Sequence, residues 1–137
     1  MLFRSSAERF PDVPTMPVAE AQRLLNEGSL VIVDVRSPEE QAVSMIPGAV
    51  TAERFDECQR EFAGRTVVSY CTVGHRAGIF ARNLRRDGWN AFNLEGSILG
   101  WVHGGGELVS DDAPTRRVHV YTRSLQFLPE EIGRAHV

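Results

Sequence analysis

Cys71 and Arg76 bracket Thr72, Val73, Gly74 and His75, a spacing that puts a nucleophile, a permanent cation and a flexible backbone position into one short segment. A cysteine attacks as its thiolate, and a free thiol with a pKa of about 8.5 is only a few per cent ionised near neutrality. Lowering that pKa by two units takes about 2.7 kcal/mol, whereas a charge at a helix end gains about 0.3–1 kcal/mol. A helix dipole by itself is therefore insufficient. A curled loop in which the N–H groups of Thr72 to Arg76 point inward adds a fixed anion cradle, and Arg76 adds a charge that pH cannot remove. Gly74 has the backbone freedom for such a curl, including positive φ. His75 is a further source of positive charge or of donor recognition. A cysteine near an arginine is common, and free cysteine often serves as a small buried hydrophobe. The elements around the loop must decide.

Pro17 suits a first helical turn, and Val18, Ala21, Leu24 and Leu25 repeat at helical spacing until Gly28. Leu30-Val31-Ile32-Val33 is an unbroken, mostly β-branched run ending in Asp34-Val35-Arg36, the pattern of a strand buried on both faces. Ser37-Pro38-Glu39-Glu40 opens a helical turn that Ser37 can cap, and Ile46-Pro47-Gly48 forces a turn before Ala49-Val50. Ala52, Phe55, Cys58 and Phe62 share one face of a helix over 52–62, which assigns Cys58 to the core. Thr66 to Tyr70 forms a second strand that runs straight into Cys71. Beyond the loop, Ala77, Phe80, Ala81 and Leu84 trace a buried helical stripe, Arg82, Arg85 and Arg86 face outward, and Gly88 closes the helix. Trp89 to Asn93 reads as a short strand, Ser97 to Val102 as a short helix, Gly104-Gly105-Gly106 as an exit, and Val118 to Tyr121 as an edge strand or arm. Alternating strands and helices with buried β-branched runs predict a three-layer α/β/α fold around a central, mostly parallel sheet. The loop then lies at the C-terminal strand edge, where open α/β sheets bind ligands.

Composition bounds what such a site can serve. The 137 residues, 42% of them hydrophobic, support one core without disulfides or a structural metal. Eighteen acidic against fifteen basic side chains leave a net charge of -3 without a basic run, which argues against nucleic acid and membrane surfaces as partners. Two cysteines, Cys58 and Cys71, are too few for a disulfide framework and lack zinc-ligand neighbours, so a reducing cytoplasm is expected and no metal. No apolar stretch approaches the roughly 20 residues of a membrane helix. Leu2 to Ser5 and Glu131 to Val137 read like translated sequencing adapters. The expected organisation is a start segment over 1–5, one domain over 14–122 and a tail over 131–137, with an ordinary frayed start and tail as the alternative.

These residues resemble the rhodanese domains, whose active loop reads C-x-x-G-x-R and whose pattern also holds a D-V-R strand end and an I-P-G-A turn. Here those are Cys71 to Arg76, Asp34-Val35-Arg36 and Ile46-Pro47-Gly48-Ala49, and Leu94 to Trp101 is similar to the family's closing segment. The resemblance covers about Pro14 to Leu108. It implies a double displacement in which Cys71 takes a sulfane sulfur from thiosulfate or a persulfide and passes it to cyanide or another thiol through a cysteine persulfide. It also implies that backbone N–H groups hold the charge, that Arg76 and His75 orient an anionic donor, and that no cofactor is needed. Asp34 and Arg36 would fix loop geometry, Arg36 being able to pair with Glu39 or Glu40. Three departures stand out. Ala77 replaces a frequent serine, Ser44-Met45 a common Gly-His, and Gln41 a frequent aromatic.

Two other readings share the fold. Phosphatases and arsenate reductases use a longer Cys-x5-Arg loop, and four intervening residues make this ring one short for a tetrahedral oxyanion. A persulfide carrier, a sensor or a protein-binding module, including a member of a sulfur relay, fits the same residues. Cys58 as a resolving thiol is weaker than Cys58 as packing, and Trp101, His103 and the adjacent glycines suit packing and turns better than a pocket rim.

Overall fold

Strand Leu30–Asp34 is buried at all five positions, and the rest of the fold is arranged to cover both of its faces. The computed structural model describes residues 12–110 and 113–115, so Val118 to Tyr121 and both suspected adapter segments lie outside the described residues. The strands are β1 (Thr15–Met16), β2 (Leu30–Asp34), β3 (Val50–Thr51), β4 (Thr66–Tyr70) and β5 (Ala91–Leu94), followed by β6 (Leu108–Ser110) and β7 (Ala113–Thr115). The helices are α1 (Val18–Asn26), α2 (Pro38–Val43), α3 (Ala52–Glu57), α4 (Gln59–Phe62), α5 (His75–Arg86) and α6 (Ser97–His103). A five-stranded sheet of order β1-β5-β4-β2-β3 has every pairing parallel, and β6 and β7 form a separate antiparallel pair.

Strand alternation divides the core in two. Leu30, Ile32, Val68 and Tyr70 join Ala21 of α1 and Ile98, Trp101 and Val102 of α6. Val31, Val33 and Val67 turn the other way, to Phe55 of α3, Phe62 of α4 and Ala81 and Leu84 of α5. Helices on both faces of a parallel sheet make the three-layer α/β/α arrangement that the sequence predicts.

Local differences have physical causes. The helix expected over 52–62 breaks at Cys58, which sits at φ −120, ψ 29. In an unbroken helix Phe55 and Phe62 would be separated by about 10 Å of rise. The break lets their rings stack at 5.5 Å with planes 8° apart. Cys58 remains half-buried against that cluster. The strand expected over 89–93 begins later, at Ala91, because Trp89 closes α5 by donating its N–H to the Leu84 carbonyl and packs edge-on against Phe55. Both β1, confined between Pro14 and Pro17, and the β6–β7 pair are too short to show a period in sequence.

What positions the site is the common end of β2 and β4. Asp34 pairs in register with Tyr70, so both strands finish at the same edge. The buried Tyr70 hydroxyl donates to Asp34 Oδ2 at 2.6 Å and accepts the Ile46 N–H at 3.0 Å, tying the Ile46-Pro47-Gly48-Ala49 turn to the sheet. Burial, with the Asp34 charge, raises the phenol well above its ordinary range and keeps it a donor. Replacing Tyr70 with Phe leaves the Ile46 N–H without its acceptor and is expected to cost about 1–3 kcal/mol. Urea unfolding checks this, through a lower midpoint at unchanged slope.

Candidate active site

Leaving β4, the chain enters Cys71, whose backbone is fixed on both sides by the start of α6. The Cys71 N–H donates to Ser97 Oγ at 3.1 Å, and the Cys71 carbonyl accepts the Ile98 N–H at 3.0 Å. The loop then curls at Gly74, which takes φ +113 and ψ −9 as the N-cap of α5. Only glycine adopts that backbone without strain. Having no side chain, Gly74 cannot cap the helix, and the Cys71 sulfur does so instead. Sγ accepts the N–H of Gly74 at 3.1 Å and of Ala77, the third helical residue, at 3.4 Å. A capping serine or aspartate reaches the N–H of the same third residue. A third donor, the Ser97 hydroxyl, lies 3.9 Å from the sulfur, and Cys71 is 1% exposed. Asn93, on β5, donates to the Gly74 carbonyl at 3.0 Å and holds the curl from beneath.

A second knot closes the loop from the side. The Glu40 carboxylate, 1% exposed as a residue, accepts both terminal guanidinium nitrogens of Arg76 at 2.8 and 3.0 Å. It also accepts the Thr72 hydroxyl at 3.1 Å and, in the capping box of α2, the Ser37 N–H and hydroxyl at 3.1 and 3.0 Å. Burial pushes the Glu40 carboxyl upward, but the Arg76 and Ser37 hydrogen bonds and the Arg76 charge outweigh it and hold the group at about 2. Thus the first residue of the loop after the cysteine and the last one are bound to one carboxylate.

Asp34 and Arg36 form a separate, fully buried ion pair at 2.8 Å. Burial works against the Arg36 charge, yet Asp34 holds its pKa above the ordinary value. Arg36 also donates to the Ser44 backbone carbonyl, and Gln41 donates to the Arg36 carbonyl at 3.1 Å, so one of the departures from the family pattern, Gln41, serves this strand end through its side chain. The partner expected for Arg36 needs correction. Arg36 closes on Asp34 two residues back, where the turn aims it, while Glu40 faces the loop and takes Arg76. Arg76 therefore stands beside the sulfur's loop as half of an ion pair, not as an uncompensated charge.

Of the residues named from sequence, Cys71, Thr72 and Gly74 are buried within the curl, Arg76 is half-buried at its edge, and Val73 and His75 are exposed. Of the expected span Thr72 to Arg76, Gly74 supplies an N–H to the sulfur, and the other backbone donor, Ala77, lies one residue past that span. Trp101 is core, donating its indole N–H to the Glu107 carbonyl at 2.8 Å, and His103 is exposed. Sequence reasoning missed three residues. Glu40 had a signal in its position three after Ser37, the spacing of a capping box. Asn93, a polar residue in a buried strand, had a weaker one. Ser97 had none, although it is the one non-glycine residue with positive φ, 53°, among the described residues. Strain at such a position accompanies function often enough to single it out. Among the described residues no group of three or more His, Cys, Asp or Glu is placed to hold a metal, and no helix is long and apolar enough to cross a membrane.

A family model described as Rhodanese-like domain matches residues 17–103. The chain is 31% identical over 99 residues to a sulfurtransferase of Allochromatium vinosum, an alignment covering 67% of this chain and 90% of that protein. It is 37% identical over 73 residues to a tRNA sulfurtransferase of Desulfurococcus amylolyticus, covering 52% of this chain but only 14% of that much longer relative. The thiosulfate sulfurtransferase from Pseudomonas aeruginosa superposes with a TM-score of 0.65 at 25% identity, over 79% of this chain and 22% of the other.

Two predictions follow from the geometry. Because the folded Glu40 carboxyl sits at about 2 against an ordinary 4.5, its contribution is complete above pH 4.5 and is lost as pH falls from there toward 2. That loss is on the order of 3 kcal/mol. Urea unfolding of wild type and Glu40→Gln, followed from neutral pH into acid, should show the wild-type advantage shrinking through that window. At the sulfur, Ser97→Ala leaves the Cys71 N–H without its acceptor and should cost about 1–3 kcal/mol. Ser97→Gly removes the same hydroxyl but relieves the left-handed backbone, so it should be more stable than Ser97→Ala by about 1 kcal/mol. Both variants should slow alkylation of Cys71 relative to wild type, measured by mass analysis.

Proposed function

The chain belongs to the rhodanese-like domain family, and on that premise we propose that it is a sulfurtransferase that carries sulfur on Cys71. The observation that carries this reading is the sulfur's position. Sγ caps α5 and faces the N–H groups of Gly74 and Ala77, with the Ser97 hydroxyl beside it. Donors fixed around a reactive atom stabilise negative charge without reorganising during the reaction.

The chemistry needs a nucleophile and a place to hold an anion. The Cys71 thiolate attacks the sulfane sulfur of thiosulfate. A new S–S bond forms, the bond from that sulfur to the sulfonate breaks, and sulfite leaves with the electron pair. With a protonated persulfide as donor, the leaving group is the donor's thiolate and the proton stays with the transferred sulfur. The product is a Cys71 persulfide. Cyanide or an acceptor thiol then attacks the outer sulfur and restores the Cys71 thiolate. Electrons balance within each displacement, so the reaction calls for no redox cofactor and no metal. The charge moves outward by one sulfur atom, and the Ser97 hydroxyl, 3.9 Å from Sγ, is the longest of the three contacts there.

The partners in this reading are a small sulfur donor such as thiosulfate or a persulfide, a cyanide or thiol acceptor, and a protein of a sulfur relay where the acceptor is a protein thiol. Two unpaired cysteines suit a reducing compartment such as the cytoplasm.

Incubation with thiosulfate followed by intact mass analysis tests the reading. Wild type is expected to gain one sulfur atom and to release thiocyanate on addition of cyanide. Cys71→Ala should do neither, while Cys58→Ala should do both. Wild-type protein that takes no sulfur from either thiosulfate or a persulfide would sink the proposal.

A further inference from the structure

Among the described residues, the C-terminal edge of the sheet holds Arg36 and Arg76 in the loop's surroundings, and each is paired with a carboxylate. Arg36 is paired with Asp34, both side chains being 0% exposed. Arg76 is paired with Glu40 through both terminal nitrogens, on a carboxylate that is 2% exposed. Glu40 is committed from every side, with Ser37 and Thr72 filling its remaining acceptor positions. Its low pKa adds that the carboxylate stays charged wherever the protein works. The loop thus presents its sulfur with dipoles and with a compensated cation.

Compensation matters differently to different donors. Thiosulfate brings two negative charges to the loop, whereas a small alkyl persulfide brings at most one and none when protonated. Coulomb attraction scales with the product of charges, so the electrostatic gain from an unpaired Arg76 would be largest for thiosulfate. The Glu40 carboxylate removes most of that gain while leaving the N–H cradle, which serves either donor equally. We propose that Glu40 is a specificity-determining positioning residue: by holding and neutralising Arg76 within the loop, it selects donors of low charge, persulfides, over the thiosulfate dianion. This rests on the sulfurtransferase reading above.

The test is single-turnover sulfur loading of Cys71, read by intact mass, with thiosulfate and with a small alkyl persulfide generated in situ. It compares wild type, Glu40→Gln, Arg76→Gln and the double variant, whose Glu40–Arg76 pair carries net charges of zero, plus one, minus one and zero. The thiosulfate-to-persulfide ratio of loading efficiencies should rise roughly three- to tenfold in Glu40→Gln at low ionic strength and shrink again with added salt. The rise should come from a lower half-saturating concentration of thiosulfate, not from a higher maximal loading rate. Arg76→Gln should lower the ratio, and the double variant should return it to the wild-type value. A residue that merely shapes the loop would change both donors alike, so an unchanged ratio in Glu40→Gln overturns the inference while leaving the sulfurtransferase reading intact. Should Glu40→Gln fail to fold, the double variant still decides, because a ratio that departs from wild type at equal net charge overturns the inference. Wild type that loads from neither donor overturns both.

Discussion

A sulfur anion inside a protein loses its water, and what replaces that water determines how the surrounding chain must run. Here the replacement is the open first turn of α5, whose N–H groups have no carbonyl partners within the helix. Placing Sγ on the Gly74 and Ala77 N–H groups requires the N-cap of the helix to lie three residues beyond the cysteine. That in turn requires a residue at the N-cap with no side chain of its own and a left-handed backbone, which is Gly74. The cysteine must also be delivered rigidly. It is the first residue beyond a buried parallel strand, with its own N–H and carbonyl held by Ser97 and Ile98. Ser97, at φ 53°, meets the Cys71 N–H with its hydroxyl while the next residue, Ile98, meets the Cys71 carbonyl with its N–H.

The Glu40 knot solves a different problem. A tight loop of mostly small side chains buries little apolar area, so packing cannot hold its conformation. Glu40 replaces packing with charge-assisted hydrogen bonds to both ends of the loop and to the cap of α2. A buried ion pair of this kind contributes little net stability compared with an apolar cluster, but removing one partner is expensive. Its value lies in fixing one arrangement. Asp34 and Arg36 do the same for the strand end, and Tyr70 couples that pair to the Ile46 turn. Ionic geometry on two sides thus holds a loop that is itself built of dipoles.

Much of this was legible in the chain. Runs such as Leu30 to Val33 announce a strand buried on both faces, and the stripe Ala77, Phe80, Ala81 and Leu84 announces α5, because each has a period that burial imposes. The strand-loop-helix setting of Cys71 followed from that stripe and from the run Thr66 to Tyr70 before the cysteine. The errors fall where tertiary contacts decide. Phe62 stacks on Phe55 only through a break at Cys58, and Trp89 leaves its strand to close a helix; neither ring contact has a local signature. Pairing of arginines was misread for the same reason. Glu39 and Glu40 are neighbours in sequence, but α2 points Glu40 at the loop and leaves Glu39 exposed, and a residue 36 positions away takes its carboxylate. Ser97 lies 26 residues from Cys71 and meets it only because β5 lies beside β4 in the sheet.

That division between dipoles and ion pairs has a consequence for how the loop treats an incoming group. Dipoles act at short range and depend on direction, so the cradle rewards an atom that arrives at the sulfur's own position and little else. A free cation acts at longer range and rewards any anion that comes near. By closing both arginines on carboxylates, the chain keeps the first kind of stabilisation and gives up much of the second. On the proposed reading, discrimination among donors depends on shape and on the charge the donor itself carries, with less help from general attraction. In the proposed transfer, a sulfur covalently attached to Cys71 would move the charge outward by a single bond and remain within reach of donors fixed at that position.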